Sequence, residues 1–201
     1  MTVISPYQLG ATLYIPATRL DMADIILHHK IADLRSLVIC LEDSIKETEI
    51  QEALTNLTKL LIHLAHSSTH NRPLVFIRPR HVAMAKRLLT LAHIEQVNGL
   101  VLPKFDHQSF AAWHEVIQAA PAHFVFMPTL ETAPILDAMA VRELTTLLQQ
   151  AALQPRILVL RIGGNDLLSC MKLRHSHTHT LYDGPLGYVV AMLVAQLVPA
   201  D

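Results

Sequence analysis

The sequence predicts an α/β fold in which parallel strands are joined by crossover helices. Three observations carry this. Short apolar runs alternate with longer amphipathic stretches. The alternation occurs six times, at about 29 residues per unit, an ordinary length for a strand-helix-strand repeat. Most of the short runs are nearly continuous in Val, Ile, Leu or Phe, as strands covered on both faces should be.

The six predicted strands are Ala11 to Pro16, Leu37 to Leu41, Leu74 to Arg78, Gly99 to Pro103, Phe124 to Met127 and Ile157 to Arg161. Helix starts follow them. Ser44 to Glu47 has the form of a capping box after the second strand, and Thr18 to Asp21 has a similar form after the first. Asp106 is placed to cap the helix after the fourth strand, where Phe110, Trp113 and Ile117 recur at helical spacing. A loop-like stretch from Arg174 to Gly184 leads to an apolar helix from Pro185 to Val198, with Pro185 suited to its first turn.

The 201 residues carry 16 Lys and Arg against 17 Asp and Glu, and 51% are hydrophobic, so the chain can bury a sizeable core and reads as one domain over 1–201. A net charge of −1 lacks the positive excess that nucleic-acid binding draws on. The longest apolar run near the end, Tyr188 to Ala195, is too short for a membrane span, which needs about 20 residues, and the N-terminus shows no signal pattern. A soluble, cytoplasmic protein is expected, with no nucleic-acid or membrane partner. Cys40 and Cys170 each stand alone in apolar runs and read as buried, reduced thiols.

In parallel α/β architectures the C-terminal strand ends carry the chemistry. Here those ends present Arg19, Glu42 and Asp43, Arg78 and Arg80, Lys104, Glu131, and Asp166 after Gly163-Gly164. Every predicted strand has a charged residue at or just beyond its end. Glu131 and Asp166 can hold a hard divalent ion such as Mg²⁺, which takes few protein oxygens and keeps places for water and substrate. Such an ion stabilises the negative charge that develops on an enolate oxygen of a 2-oxo acid. Arg78 can bind a substrate carboxylate bidentately.

Each residue also has a purely structural reading. Glu42 and Asp43 can favour a helix N-terminus, Asp166 can be a helix cap, and Glu131 can be a first-turn carboxylate. Their shared position in the repeating units is what favours a site. His175, His177 and His179 read as a mobile polar loop, because no Cys or carboxylate completes a transition-metal pattern around them.

Taken in order, Tyr14 to Arg19 (YIPATR), Leu41 to Ser44 (LEDS), Phe76 to Arg80 (FIRPR), Leu102 to Lys104 (LPK), Leu130 to Ala133 (LETA) and Gly164 to Leu167 (GNDL) form a set. This set resembles the citrate lyase beta-subunit-like carbon-carbon bond lyases of the HpcH/HpaI aldolase superfamily, over essentially the whole chain. The resemblance implies a TIM-type (β/α) barrel and Mg²⁺-dependent cleavage or formation of a carbon-carbon bond in a 2-oxo acid or a coenzyme A thioester. Mn²⁺ is the alternative ion. It implies Glu131 and Asp166 as metal ligands, Arg78 as the contact to a substrate carboxylate, and Glu42, Asp43 and Lys104 as catalytic residues around the metal. Arg19 matches an Arg of the first motif and is assigned to substrate or thioester binding.

Two departures qualify these expectations. Relatives that act on coenzyme A thioesters carry Arg-Ile-Asn where this chain has Arg78-Pro79-Arg80, which weighs against a thioester substrate. Six units account for the sequence, two short of an eight-stranded barrel, so an incomplete barrel is expected. Its sheet edges call for cover by the C-terminal helix, another chain or exchanged elements, and a homo-oligomer follows. The competing expectation is a noncatalytic scaffold or assembly protein that keeps the barrel and its polar rim. A nucleotide-binding open sheet needs a glycine-rich first loop, and Pro16 to Arg19 is not one.

Overall fold

The structure is a computed structural model and describes residues 4–69 and 71–198. Six strands follow one another in sheet order: β1 (Leu13–Pro16), β2 (Ser36–Cys40), β3 (Leu74–Arg78), β4 (Gly99–Leu102), β5 (Val125–Leu130) and β6 (Arg161–Ile162). Among the described residues seven α-helices accompany them: α1 (Met22–Leu27), α2 (Ile50–His66), α3 (Val82–Leu88), α4 (Phe110–Ala119), α5 (Ala138–Gln150), α6 (Gly164–Cys170) and α7 (Pro185–Leu197). Contacts divide the chain into two compact units, Met1–Leu102 with Val116–Phe126, and Pro103–Glu115 with Met127–Asp201.

In the first unit, β1 through β4 pair in parallel, in registers such as Ile15↔Ile39, Cys40↔Arg78 and Ile77↔Leu100. All five residues of β2 are buried, which explains its unbroken apolar run. Helix α2 buries Ala53, Leu54, Leu57, Leu60, Leu61 and Leu64, the stripe that 3.6-residue periodicity places on one face, and α1 packs against it.

In the second unit, β5 pairs with β6 through Thr129↔Arg161 and Leu130↔Ile162. The Asp137 side chain caps α5 by accepting the Met139 N–H at 2.9 Å, and α7 packs on α5 and α6. The rings of Phe105 and Phe110 meet edge to face at 6.1 Å.

Several sequence expectations shift. The sixth strand does not occupy Ile157 to Arg161. A 3-10 turn at Gln154–Arg156 takes the Ile157 N–H back to Leu153 and Gln154 carbonyls, so the regular ladder starts only at Arg161. The fifth strand runs on through Pro128 to Leu130 rather than ending at Met127. Ser44 caps no helix: α2 begins at Ile50 behind a 3-10 turn at Glu47–Glu49, where the Lys46 N–H donates to Glu49 Oε2 at 3.0 Å. Asp21 makes no side-chain cap for α1. Cys40 is buried as expected, but Cys170 is exposed because it falls on the outer side of the short helix α6, whose buried residues are Leu167 and Leu168.

Candidate active site

Two polar clusters form at the C-terminal ends of the strands, one in each unit. In the first unit the ladder continues one step beyond β2, with the Leu41 N–H on the Arg78 carbonyl at 2.9 Å. That register brings Glu42 beside Arg78, the last residue of β3. Arg78 Nε donates to Glu42 Oε2, and the two side chains are 11% and 3% exposed, so this is a buried ion pair. Asp43 is solvent-facing, with Oδ2 3.6 Å from an Arg78 Nη.

Arg80 closes the loop that carries these carboxylates. Its Nη2 donates to the Ile45 carbonyl at 2.5 Å and the Glu42 carbonyl at 3.3 Å, and its Nη1 lies 3.2 Å from Glu47 Oε2. Two arginines of one motif thus fix residues 42–47 from inside, which is why the loop does not enter a helix at Ser44. At the end of β1, Arg19 grips Asp21 through both Nε and Nη2, and Lys30 reaches the same carboxylate at 2.6 Å. The Arg19 hydrogen bond, then that of Lys30, holds the Asp21 carboxyl well below the usual carboxylate range, and Asp21 in turn raises the Arg19 guanidinium.

In the second unit Glu131 follows β5 and is 4% exposed. Lys104, just past β4, adopts the left-handed region at φ +51°, an uncommon conformation for a residue with a side chain, and thereby turns its N–H onto Glu131 Oε1 at 2.8 Å. The Lys104 side chain itself is exposed. Two strand-end hydrogen bonds flank Glu131, Phe105 N–H to the Thr129 carbonyl and Gly163 N–H to the Leu130 carbonyl, each at 3.0 Å.

Gly163 is what leaves Glu131 its place. A Cβ on residue 163 would lie 2.5 Å from Glu131 Cβ and 2.7 Å from Oε2. Three residues on, Asp166 stands exposed in the first turn of α6. Beside Glu131 a part-buried circuit centred on the buried Asp106 ties the loops together. Thr132 Oγ1 donates to Asp106 Oδ2 at 2.7 Å, the Ser109 N–H donates to Asp106 Oδ1 at 2.8 Å, and Ser109 Oγ donates to the Lys104 carbonyl at 2.9 Å. Asp106 therefore closes the turn before α4, as its position suggested, and also clamps the residue next to Glu131.

Of the residues singled out in the sequence, Glu42, Asp43 and Arg78 come together, as do Lys104 and Glu131. Arg19 has its fork on Asp21. The roles of Arg80, of Gly163, and of Asp106 as a clamp were not foreseen. For Gly163 the only signal was a Gly-Gly pair between strand and helix, which says nothing of what lies across from it.

Among the described residues no three His, Cys, Asp or Glu side chains form a metal-holding group. His175 Nδ1 lies near the Ser176 carbonyl and His179 Nδ1 near Thr178 Oγ1. A two-carboxylate set from Glu131 and Asp166 still suits Mg²⁺, which prefers hard oxygens and few of them from protein.

A family model described as carbon-carbon bond lyase of the TIM-barrel fold matches residues 3–201. The chain belongs to this family. Its fold class is accordingly α/β of TIM-barrel type, with six βα units among the described residues. Solved structures agree on the fold of this lyase-family chain. RipC from Yersinia pestis is 18% identical, with a TM-score of 0.63, 96% of this chain and 73% of that one being covered. An HpcH/HpaI aldolase/citrate lyase family protein from Burkholderia cenocepacia is 13% identical (TM-score 0.62; coverage 95% and 79%). The citrate lyase beta subunit of M. tuberculosis, in complex with oxaloacetate and magnesium, is 20% identical (TM-score 0.56; coverage 92% and 72%). No curated protein sequence matches the chain. Among the described residues no helix is long and apolar enough to cross a membrane.

Proposed function

We propose that this chain is a Mg²⁺-assisted carbon-carbon bond lyase acting on a small 2-oxo acid or its adduct. The observation that carries the reading is the buried carboxylate of Glu131, seated by the Lys104 N–H and the bare backbone of Gly163, one helical turn ahead of Asp166. Glu131 and Asp166 would hold the ion. When bound, it supplies a Lewis acid toward the oxygen on which negative charge develops.

The chain's own residues do the rest. Arg78 binds the substrate carboxylate, and Glu42 keeps its guanidinium extended from β3, so little side-chain freedom remains to be lost on binding. Asp43, exposed beside Arg78, discourages a second negative group there. The Lys104 side chain, exposed at the strand end, would supply a cation near Glu131, while its backbone N–H does the positioning. Arg19 is a weaker candidate for substrate contact, since Asp21 must first release it. The Arg78-Pro79-Arg80 motif supports a free acid over a coenzyme A thioester, because Arg80 is spent on the loop carbonyls.

The test is a titration with Mg²⁺ and with Mn²⁺ in the presence of oxaloacetate or pyruvate. Glu131→Ala and Asp166→Ala should each abolish metal-dependent binding, and undiminished binding in both would overturn the assignment. A second reading, a noncatalytic barrel used for binding or assembly, is favoured by the two-residue ladder of β6 and by the exposure of Asp166. Absence of turnover on 2-oxo acid adducts and acyl thioesters, with metal binding intact, selects it. Exposed Tyr188 and Val194 on α7, with Val198 just past its end, support a homo-oligomer, which sedimentation at micromolar concentration checks.

A further inference from the structure

In the first unit a cleft of about 580 Å³ opens where β2 and β3 begin, at the opposite ends of those strands from Glu42 and Arg78. Its size lies within the range of about 300–1,000 Å³ usual for small-ligand sites. The polar residues lining it are Gln8, His29, Asp33, Arg35, Asn71 and Arg72. The walls are held by strand-end bonds: the Leu74 N–H donates to the Arg35 carbonyl at 2.8 Å, and Ser36 Oγ donates to the Leu9 carbonyl at 2.7 Å. Gly10, at φ +57°, makes room for the Arg35 stem, since a Cβ there would stand 2.9 Å from Arg35 Cδ.

The charges in this cleft are not balanced. Arg72 is only partly accessible and gives Nη2 to neutral acceptors, the Gln96 carbonyl at 2.9 Å and Gln96 Oε1 at 3.4 Å. Burial lowers its pKa from the ordinary arginine value, as expected of a guanidinium that has lost water without gaining an anion. Among the described residues neither Arg35 nor Arg72 forms an ion pair, whereas Arg19, Arg78 and Arg80 of the same unit each face a carboxylate. Asp33 is the one acidic residue of the lining. A partly buried arginine is normally paired, and here the missing partner is an anion.

We propose that this cleft binds a small phosphate-bearing dianion between the forks of Arg35 and Arg72, with the Asn71 and Gln8 amides as further donors. Planar guanidinium groups match phosphate oxygens bidentately, and a dianion with three or more oxygens can serve several converging donors. The concave shape and a chain net charge of −1 favour a small ligand over an extended polyanion. The site is separate from the proposed lyase chemistry.

Calorimetric titration of the full chain with inorganic phosphate and with pyrophosphate, at constant ionic strength, tests this. Saturable binding at millimolar ligand is expected, weakened about tenfold or more in Arg72→Gln and in Arg35→Gln. Asp33→Asn should tighten it by removing like charge, and Lys59→Gln, on α2 away from the cleft, should leave it unchanged. Binding retained in Arg78→Gln supports the cleft; binding lost there but kept in both cleft variants overturns it. Failure to saturate, or affinity in both Arg35→Gln and Arg72→Gln equal to that of the parent chain, also overturns it. If circular dichroism shows Arg72→Gln unfolded, the exposed Arg35 decides the matter alone.

Discussion

The two units place their carboxylates by different means. In the first, cations predominate: Arg78 holds Glu42, Arg80 reaches Glu47, and Arg19 with Lys30 holds Asp21, with Glu49 on the Lys46 N–H as the exception. In the second, hydroxyl and backbone N–H donors recur: Thr132 and Ser109 on Asp106, Met139 N–H on Asp137, Thr180 on Asp183, and Lys104 N–H on Glu131. A carboxylate held by a cation is electrically satisfied. Glu42 is held in that way and orients an arginine, whereas at Glu131 a backbone N–H, that of Lys104, takes part in fixing the carboxylate.

The largest effect should follow removal of one partner of the buried pair. Glu42→Ala leaves Arg78 without its strand-end carboxylate, a change that costs about 3–5 kcal/mol for buried pairs. A double variant, Glu42→Leu with Arg78→Met, should recover most of that loss, because burying neither charge removes the desolvation cost. Urea denaturation measures both. The single tryptophan, Trp113, belongs to the second unit and is 2% exposed, so its fluorescence reads that unit while far-ultraviolet circular dichroism reads both. Separate transitions in Glu42→Ala would mean that the units unfold independently.

Gly163→Ala comes next. The added methyl meets Glu131 Cβ at 2.5 Å and Oε2 at 2.7 Å, so the carboxylate must move, with a stability cost of about 1–3 kcal/mol. If Glu131 holds the ion as proposed, its sharper consequence should be loss of Mg²⁺ affinity. Gly164→Ala, whose nearest neighbours are Leu181 and Leu186 methyl groups at 3.3 and 3.4 Å, is the control and should keep it. Asp106→Ala should cost about 1–3 kcal/mol by stranding the Thr132 hydroxyl and Ser109 N–H, and should weaken metal binding less than Gly163→Ala, because it acts on Glu131 only through its neighbour.

These cases also mark how far the sequence could be read. β3 is found at Leu74–Arg78 as its composition predicts, since a central buried strand leaves an unbroken apolar signature. Each proposed site residue stands at or soon after a strand end, because loop length in βα units is short enough to follow along the chain. What escaped was set by groups distant in sequence. Arg80, bound to the Ile45 carbonyl 35 residues away in sequence, overrides the local capping signal at Ser44. The apolar run at Ile157 to Leu160 looks like strand, yet a preceding 3-10 turn decides where pairing starts. The need for glycine at 163 depends on Glu131, 32 residues earlier in the chain but adjacent in the fold.

The smallest expected effect separates the two means of placement most cleanly. Half-buried Asp21 and exposed Asp183 are both carboxylates with lowered pKa, the first through the Arg19 and Lys30 side chains, the second through the Thr180 hydroxyl and N–H. For a carboxyl lowered on folding, the stabilisation is fully present above its unfolded pKa of about 4 and disappears as pH falls through the folded value. Asp21→Asn and Asp183→Asn should therefore each destabilise slightly at pH 7, and each should converge on the parent protein as thermal melts are moved into the acid range below about pH 4. Salt distinguishes them. The Asp21 difference at pH 7 should shrink as ionic strength rises, because exposed ion pairs are screened, while the Asp183 difference, resting on short hydrogen bonds at 2.7 and 2.8 Å, should persist. Equal salt sensitivity at the two positions would show that the contrast between cationic and neutral placement has no energetic counterpart at the surface, and would confine it to the buried carboxylates Glu42 and Glu131.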